Sequence, residues 1–537
     1  MTTASRTSSP RSKDLDFPKE LERLLAGTGV RPSDTGGKIS FAGQDPIFPS
    51  AIRLGSVFAL SAMAAAVGAA AIWKLRTGKG QDLSVDLRRS SHGIDPELTF
   101  GPTINGWPYP NPIGNSHPFS VFPFETQDGR WVYPSAVYPA QQFAWTRFFH
   151  CGADHASVAA AIHKWDSLEL ENAANDAGHT LCIARTADEW AKHPQGQYLA
   201  EEPVIAVRKI ADGDPQPFGP ADRPLSDIRV LSATHAVAGP VVGRTLAEQG
   251  AQVLQFNRVN DFEHPWVYDD ANVGFRSTYL DLRRPDNVAT GLALARDADV
   301  FVDNFRGRKL SDYGFGPEQL AAGHRGIVIV SVRCYGWGGP WSDRGGFDML
   351  GSAASGVAMA EGENGKPSMP PTALINDYVT GYMGAAGATA ALVRRAKEGG
   401  SYHVTVSLAR NAMWYLTLGQ IPPEERTFAE NPFRRFESLS TKPAELLPIV
   451  MKLRQRLLPP EIIERDTPLG RVRRLAPAVH FSSTPGGWSD PILTPMGAAS
   501  ASWAGTARGS KGAVAPARSP PAKPGPRGAS HRSGRRR

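Results

Sequence analysis

An internal repeat constrains the fold of this chain more than any other feature of its sequence. Residues Ala70–Leu87 (AAIWKLRTGKGQDLSVDL) match Ala391–Leu408 (ALVRRAKEGGSYHVTVSL) at a constant offset of 321 positions. Each stretch predicts a helix that ends in basic residues, then a glycine-rich turn, then an alternating strand. We interpret the earlier stretch as part of a partial first copy of the later one.

The second copy carries a carboxylate at the start of its predicted helix. Asp377 precedes a segment in which glycines at every third position from Gly381 to Gly387 stand among alanines. Such a pattern favours a helix that approaches another element closely. The N-terminal end of a helix favours the ionised carboxylate, which is the form that acts as a nucleophile. An ordinary N-cap aspartate is the alternative interpretation.

The first copy lacks that carboxylate, because the same offset places Ser56 where Asp377 stands. A serine hydroxyl is not ionised at neutral pH, so we expect the first copy to be structural. The apolar run Val57–Trp73 is nearly long enough to span a membrane. Because the repeat assigns it to a core helix, we expect no membrane interaction.

The composition, with 41% hydrophobic and 21% charged residues, is typical of a soluble globular protein. Three scattered cysteines, Cys151, Cys182 and Cys334, are too few for a disulfide framework or a zinc site. The N-terminal residues are polar and show no charged-then-apolar signal pattern. We therefore expect a cytoplasmic protein without a metal.

The positive net charge is concentrated at the C-terminus. Nine basic and no acidic residues lie between Ala504 and Arg537, and removing them from the net charge of +7 leaves about −2 for the rest. This Pro/Gly/Ala/Ser-rich tail cannot bury a core, so we predict disorder over residues 504–537. Attachment to an anionic surface or nucleic acid is the alternative for the tail, and we do not expect the protein to act on nucleic acid.

The order of predicted elements divides the rest of the chain. Residues 1–50 are expected to form a partly disordered N-terminal segment. Residues 51–219 hold the first copy, a helix followed by a small α+β domain with a hairpin at a Gln-Asp-Gly turn. Beyond a linker at 220–224, strands and helices alternate over residues 225–503. This alternation predicts an α/β domain with an open, parallel, Rossmann-like sheet and flanking helices.

Small and basic residues follow several of the predicted strands. Ala238-Gly239-Pro240 opens a helix where a phosphate or thioester could approach backbone N–H groups, although an ordinary βα turn is the alternative. Open α/β sheets bind ligands at the edge where these strands end, and arginines there would meet phosphates, whereas individually they would be solvated charges. Four arginines follow strand ends: Arg258, Arg283, Arg306 and Arg308.

Phe347-Asp348 lies within the glycine-rich segment Arg333–Gly356. Two interpretations are equally consistent with this position: a contact in the active site, or the cap of the helix that follows.

As an ordered set, these motifs resemble the class III CoA-transferase family, which includes formyl-CoA and carnitine CoA-transferases and the α-methylacyl-CoA racemases. The residues that carry the resemblance are AxAGP, LDLRxP, VDNFRxxxLxxYGFG, YGxxGPxxxRxGFD, and Asp377 with its helix and VTVSL strand. They cover residues 225–408, and a looser resemblance covers residues 51–217.

The resemblance implies an acyl-CoA enzyme in which Asp377 attacks the thioester. The aspartyl mixed anhydride then exchanges with CoA thiolate and is resolved by a carboxylate acceptor, so coenzyme A is a substrate and no metal takes part. The implied CoA site is lined by Val237, Ala238, Arg258, Leu280, Asp281, Leu282, Arg283, Asn304, Phe305 and Arg306.

The resemblance also implies an interlocked homodimer whose active sites lie between one chain's large domain and another chain's small domain. The partial duplication offers a substitute for that arrangement within one chain.

Departures from the family pattern leave other functions open. Val237 stands where formyl-CoA transferase has a glutamine, and Phe347 stands where the racemases place a proton-transferring histidine. One alternative is an acyl-CoA racemase or isomerase that uses Asp377 as a base. Another is a non-catalytic CoA-binding subunit, since the first copy has lost its aspartate.

Overall fold

Seventeen strands form four sheets in the structure, a computed structural model that describes residues 15–109, 118–119, 121–372, 374–436 and 443–505. The first fourteen residues and the predicted tail from residue 506 onward lie outside the described residues. The strands are β1 (Ile39–Ala42), β2 (Leu83–Asp86), β3 (Thr103–Ile104), β4 (Trp107–Pro108), β5 (Phe124–Glu125), β6 (Trp131–Ser135), β7 (Thr180–Ile183), β8 (Ala206–Ala211), β9 (Arg229–Ala233), β10 (Gln252–Asn257), β11 (Phe275–Tyr279), β12 (Val300–Asp303), β13 (Val328–Arg333), β14 (Ser401–Ser407), β15 (Ile462–Thr467), β16 (Gly470–Leu475) and β17 (His480–Phe481).

The largest sheet has seven strands in the order β11-β10-β9-β12-β13-β14-β8. Neighbours from β11 to β14 are parallel, and β8 adds antiparallel to β14 at the edge. Side chains alternate between two hydrophobic clusters: Val300 and Val302 belong to one and Phe301 to the other. Because a parallel sheet is covered on both faces, both kinds of position are apolar. The predicted α/β architecture is confirmed.

Helices cover both faces of this sheet. Apolar side chains of α2, α10 and α16 belong to one cluster, and those of α12 and α13 belong to the other. The helices are α1 (Phe17–Leu25), α2 (Leu54–Thr77), α3 (Leu87–Ser90), α4 (Pro96–Thr99), α5 (Pro139–Phe149), α6 (His155–Ile162), α7 (Ser167–Asp176), α8 (Ala187–Lys192), α9 (Pro194–Glu201), α10 (Ala238–Glu248), α11 (Pro265–Ala271), α12 (Pro285–Arg296), α13 (Pro317–Gly323), α14 (Asp348–Ser355), α15 (Val357–Glu361), α16 (Ile375–Glu398), α17 (Leu408–Thr417), α18 (Pro432–Arg435) and α19 (Pro443–Leu453).

The small α+β region of the first copy is built on a three-stranded sheet in the order β5-β6-β7. Strands β5 and β6 pair antiparallel around the Gln-Asp-Gly turn, as the hairpin prediction requires. Helices α5, α6 and α7 pack on it around a core that includes Trp145 and Phe149. After β7, helices α8 and α9 follow each other closely, and Pro194 begins α9.

The repeat predicted from the sequence appears as two long helices of equal length. Helix α2 and helix α16 each have 24 residues, and both of their ends differ by the offset of 321. Helix α2 is long and apolar enough to cross a membrane, but its apolar window is wholly buried inside the protein. The interpretation of this run as a core helix is confirmed.

The two copies exchange strands with each other. Strand β2 has β1 parallel on one side and β17 antiparallel on the other, and β14 has β13 parallel and β8 antiparallel in the same positions. Strand β8 comes from the first copy and completes the sheet of the second, whereas β17 comes from the second copy and completes the sheet of the first. The copies are therefore interlocked within one chain.

Helices α2 and α16 meet at equivalent positions. A Cβ atom added to Gly68 would lie 2.0 Å from Oγ1 of Thr389, and these two residues correspond under the offset of 321. An interface in which a residue meets its own equivalent is the mark of a two-fold relation. The packing thus relates the two copies by an approximate two-fold axis near this contact.

Candidate active site

Asp377 is the third residue of α16 and is 8% exposed. Its backbone N–H donates to Oδ2 of Asp348 at 2.8 Å. Burial raises the pKa of Asp377 to about 7. The helix terminus therefore does not by itself set the ionisation of this side chain, because removing the carboxylate from water raises its pKa.

Asp348 does not cap its own helix and instead accepts the backbone N–H of Asp377 in the first turn of α16. It begins α14, whose N-cap residue Phe347 makes no capping hydrogen bond through its side chain. Burial, and then the negative charge of Asp377, raise the pKa of Asp348 well above its usual range. A negative charge on Asp377 makes ionisation of Asp348 less favourable, so the two carboxyls titrate as a pair.

The first copy repeats this arrangement with a serine in place of Asp377. Oδ2 of Asp45 accepts the backbone N–H of Ser56 at 2.8 Å, as Asp348 accepts that of Asp377. The hydroxyl of Ser56 donates to the same Asp45 oxygen at 2.7 Å. Both the backbone and the side chain of Ser56 are therefore bound to Asp45.

The turn between β9 and α10 lies beside the first turns of α16. A Cβ atom on Gly381 would lie 2.9 Å from the carbonyl oxygen of Ala238, so only glycine lets the two helices come this close. Gly381 is one helical turn beyond Asp377. Val237 is the N-cap of α10 and Ala238 its first residue, and both are buried. The structure therefore brings these two predicted CoA-binding residues towards Asp377.

Asn304 holds the same turn from the neighbouring strand β12. Its Oδ1 accepts the backbone N–H of His235 at 3.0 Å, and its Nδ2 donates to the carbonyl of His235 at 2.7 Å. The ring of Phe305 lies 5.1 Å from that of His235. The guanidinium of Arg306 donates to the carbonyl of Gly178 at 3.1 Å and so links the sheet edge to the small α+β region.

The remaining predicted CoA-binding residues follow β10 and β11 on the same edge of the sheet. Arg258 pairs with Asp261, and Arg283 pairs with Asp281. Hydrogen bonds from Arg283 lower the pKa of Asp281 to about 2. Leu280 is buried in the hydrophobic cluster on the α12 face, and Leu282 packs against it partly exposed. The guanidinium groups of these exposed arginines can exchange their acidic partners for phosphates.

The first copy reaches this site through Tyr138, which follows β6. Its hydroxyl lies 3.0 Å from Nδ1 of His235, and its ring lies 6.2 Å from that of Phe347. Burial, the carboxylate of Glu263 and the charge of Asp377 raise the pKa of Tyr138 well above its usual range. Sequence reasoning missed Tyr138, His235 and Glu263, because no local pattern shows that segments far apart in the chain converge here.

The family model of CoA-transferase family III matches residues 25–217 and again residues 225–434, well over half of the chain. The chain belongs to CoA-transferase family III. The first match contains α2 and β8 and the second contains α16 and β14, whereas β17 lies beyond the second match. Within the described ranges of this family III chain, no group of His, Cys, Asp and Glu side chains is placed to hold a metal ion.

Curated relatives resemble part of this family III chain. "Acetyl-coenzyme A transferase nodX" of Hypoxylon pulicicidum is 33% identical over 277 residues, which are 48% of this chain and 46% of the relative. "Succinyl-CoA:glutarate CoA-transferase" of Homo sapiens is 30% identical over 214 residues, 37% of this chain and 49% of the relative. The chain spans about half the length of the curated relatives it matches.

Among solved structures, a CAIB/BAIF family protein from Brucella suis is 26% identical with a TM-score of 0.34, covering 36% of this chain and 55% of that one.

Proposed function

We propose that this chain is an acyl-CoA transferase that moves CoA from an acyl-CoA to a carboxylic acid through a mixed anhydride on Asp377. The observation that carries the proposal is the position of Asp377, buried at the start of α16 beside the turn that opens α10. Membership of CoA-transferase family III and relatives named as CoA-transferases support CoA transfer.

In the proposed first step, an oxygen of ionised Asp377 attacks the thioester carbonyl and the C–S bond breaks. The products are an aspartyl mixed anhydride and CoA thiolate. The thiolate then attacks the aspartyl carbonyl, which releases the donor carboxylate and leaves an aspartyl thioester. The acceptor carboxylate displaces the thiolate as a second mixed anhydride, and thiolate attack on the acceptor carbonyl frees the new acyl-CoA and Asp377.

Protonated Asp348 suits this sequence, because a second negative charge beside Asp377 would repel both CoA thiolate and the acceptor carboxylate. The small α+β region of the first copy would act as a wall that excludes water from the mixed anhydride, with the ring of Tyr138 6.2 Å from that of Phe347. The first copy is in this view a structural partner of the second.

Trapping with hydroxylamine tests the covalent step. Incubation with an acyl-CoA followed by hydroxylamine should convert Asp377 to a hydroxamate, which peptide mass spectrometry detects. Asp377→Asn is the control that should give no adduct. Absence of the adduct from folded wild-type protein that binds CoA would contradict the proposal and favour a non-catalytic CoA-binding subunit. A panel of acyl-CoAs with mixed carboxylate acceptors would then identify the substrates.

A second candidate is an acyl-CoA racemase or isomerase that uses Asp377 as a general base. The observation in its favour is the pKa of Asp377, which burial raises to about 7, near the optimum for proton abstraction at neutral pH. Phe347 cannot relay a proton to the opposite face of the substrate. Solvent deuterium entering the α-carbon of an acyl-CoA in the absence of any acceptor would favour this candidate over transfer.

A further inference from the structure

Glu263, in the loop between β10 and α11, binds two backbone N–H groups with its two carboxylate oxygens. Oε2 accepts from Ala236 at 2.7 Å, and Oε1 accepts from His264 at 3.1 Å. Burial raises the pKa of this glutamate to about 7. A half-buried carboxyl that accepts one N–H group from a distant segment and another from its own neighbour fixes the geometry between the two segments.

Ala236 is the strained point of the turn between β9 and α10. Its φ is +57°, in the left-handed region that residues with a Cβ rarely adopt. Such strain persists only where surrounding contacts hold it, and it concentrates at functional sites. Asn304 holds the adjacent His235 by its N–H and its carbonyl, so the turn is fixed on both sides of the strained residue.

The first copy closes this arrangement from the other side. Oη of Tyr138 lies 3.3 and 3.4 Å from the two oxygens of Glu263 and 3.0 Å from Nδ1 of His235. Nε2 of His264 lies 2.5 Å from the carbonyl oxygen of Val137. Two consecutive residues of the first copy therefore contact the same glutamate, its neighbour and the strained turn.

We infer that Glu263 and Tyr138 are positioning residues that hold the turn from His235 to Ala238 in its strained form, and that the first copy contributes Tyr138 to a site whose nucleophile belongs to the second. The inference rests on the proposed function, since its purpose is to aim the turn at the thioester. The first N–H groups of α10 have no intrahelical partners, and they follow directly from the strained residue. In that place they would meet the negative oxygen that forms when Asp377 attacks.

The arrangement predicts a selective loss of rate. Glu263→Gln can accept only one of the two N–H groups, because its amide nitrogen donates. We expect kcat for transfer to fall about 10- to 100-fold, since small misplacements of groups at the reacting centre have effects of that size. Affinity for free CoA should change little, because the exposed arginines that would bind its phosphates do not contact Glu263. Tyr138→Phe should give a smaller loss of kcat in the same direction.

A second-site change separates positioning from a general folding defect. Glycine adopts positive φ without strain, so Ala236→Gly added to Glu263→Gln should restore part of the lost kcat. Glu361→Gln is the control, because Glu361 is a buried glutamate outside this turn that binds the backbone N–H groups of Ala51 and Ile52 through Oε1 alone and pairs with Arg434 through Oε2. It should lower the melting temperature without changing kcat for the folded protein.

Hydrogen exchange provides a readout that does not depend on activity. The N–H groups of Ala236 and His264 should exchange faster in Glu263→Gln than in wild type, while peptides from α16 are unchanged. Faster exchange in Glu263→Gln would still support the positioning role if the wild-type protein showed no transfer. That result would contradict the proposed function instead. The inference is overturned if Glu263→Gln keeps wild-type kcat or wild-type exchange. It is also overturned if kcat falls together with CoA affinity and Ala236→Gly restores nothing.

Discussion

Asp377 and Ser56 occupy the third position of two equivalent helices, so they form a matched pair for mutagenesis. Asp377→Asn removes the nucleophile and should lower transfer by about 10⁴-fold or more. Ser56→Ala removes one hydrogen bond to Asp45, which should cost about 1 kcal/mol of unfolding free energy and leave kcat nearly unchanged. Steady-state kinetics with urea unfolding measures both effects. Loss of transfer in folded Ser56→Ala that still binds CoA would show that the roles of the two copies are reversed.

The pKa of Asp377, which burial raises to about 7, sets the pH dependence of the first chemical step. The protonated carboxyl cannot attack, so the rate of anhydride formation should fall about tenfold per unit below pH 7 and level off above it. Rapid-quench measurement of the first turnover in buffers of matched ionic strength provides the profile.

Asp348→Asn tests which of the two carboxyls holds the proton. Asparagine resembles the neutral acid, so the lower limb of the profile should stay in place if Asp348 is already protonated. If Asp348 is ionised instead, removing its charge would lower the pKa of Asp377 and move the limb to more acidic pH.

At the scale of elements, the contact between α2 and α16 depends on the absence of a side chain at Gly68. A methyl group there would lie 2.0 Å from Oγ1 of Thr389, so Gly68→Ala should lower the unfolding free energy by about 1–3 kcal/mol. Urea unfolding measures the loss, and Thr389→Gly in the same chain should recover part of it. In the control Gly323→Ala, no atom lies near the added methyl, and stability should stay equal or rise slightly. Equal effects in both variants would contradict tight packing of the two copies.

At the scale of the whole molecule, the exchange of β8 and β17 supplies within one chain the interlock that the family resemblance assigns to two. Each copy's sheet already has its antiparallel strand from the other copy, and Tyr138 already reaches the second copy's site. We therefore expect a monomer to be fully active, in place of the homodimer. Light scattering at assay concentrations, with activity measured on the same fractions, decides between them. Activity confined to a dimer would favour the interlocked homodimer instead.

Much of the fold follows from local patterns in the sequence. The small-residue run after Asp377, its basic last turn and the glycines beyond it predict a helix that the structure bounds at Ile375–Glu398. The repeat places Ser56 at the matching point of α2. These features depend on neighbours within a few turns of helix or on a fixed offset, so they can be read without a structure.

Only the tertiary structure decides the environment of Asp377. The pKa of Asp377 depends on burial by segments far apart in the chain, and that burial outweighs the helix terminus that the sequence shows. Glu263 and Tyr138 are 125 positions apart, and nothing near either residue indicates that they meet at Ala236. The exchange of β8 and β17 is equally hidden, because strand pairing is specified by the whole arrangement of packed surfaces. Local periodicity determines elements, whereas desolvation and long-range contacts determine how those elements act on one another.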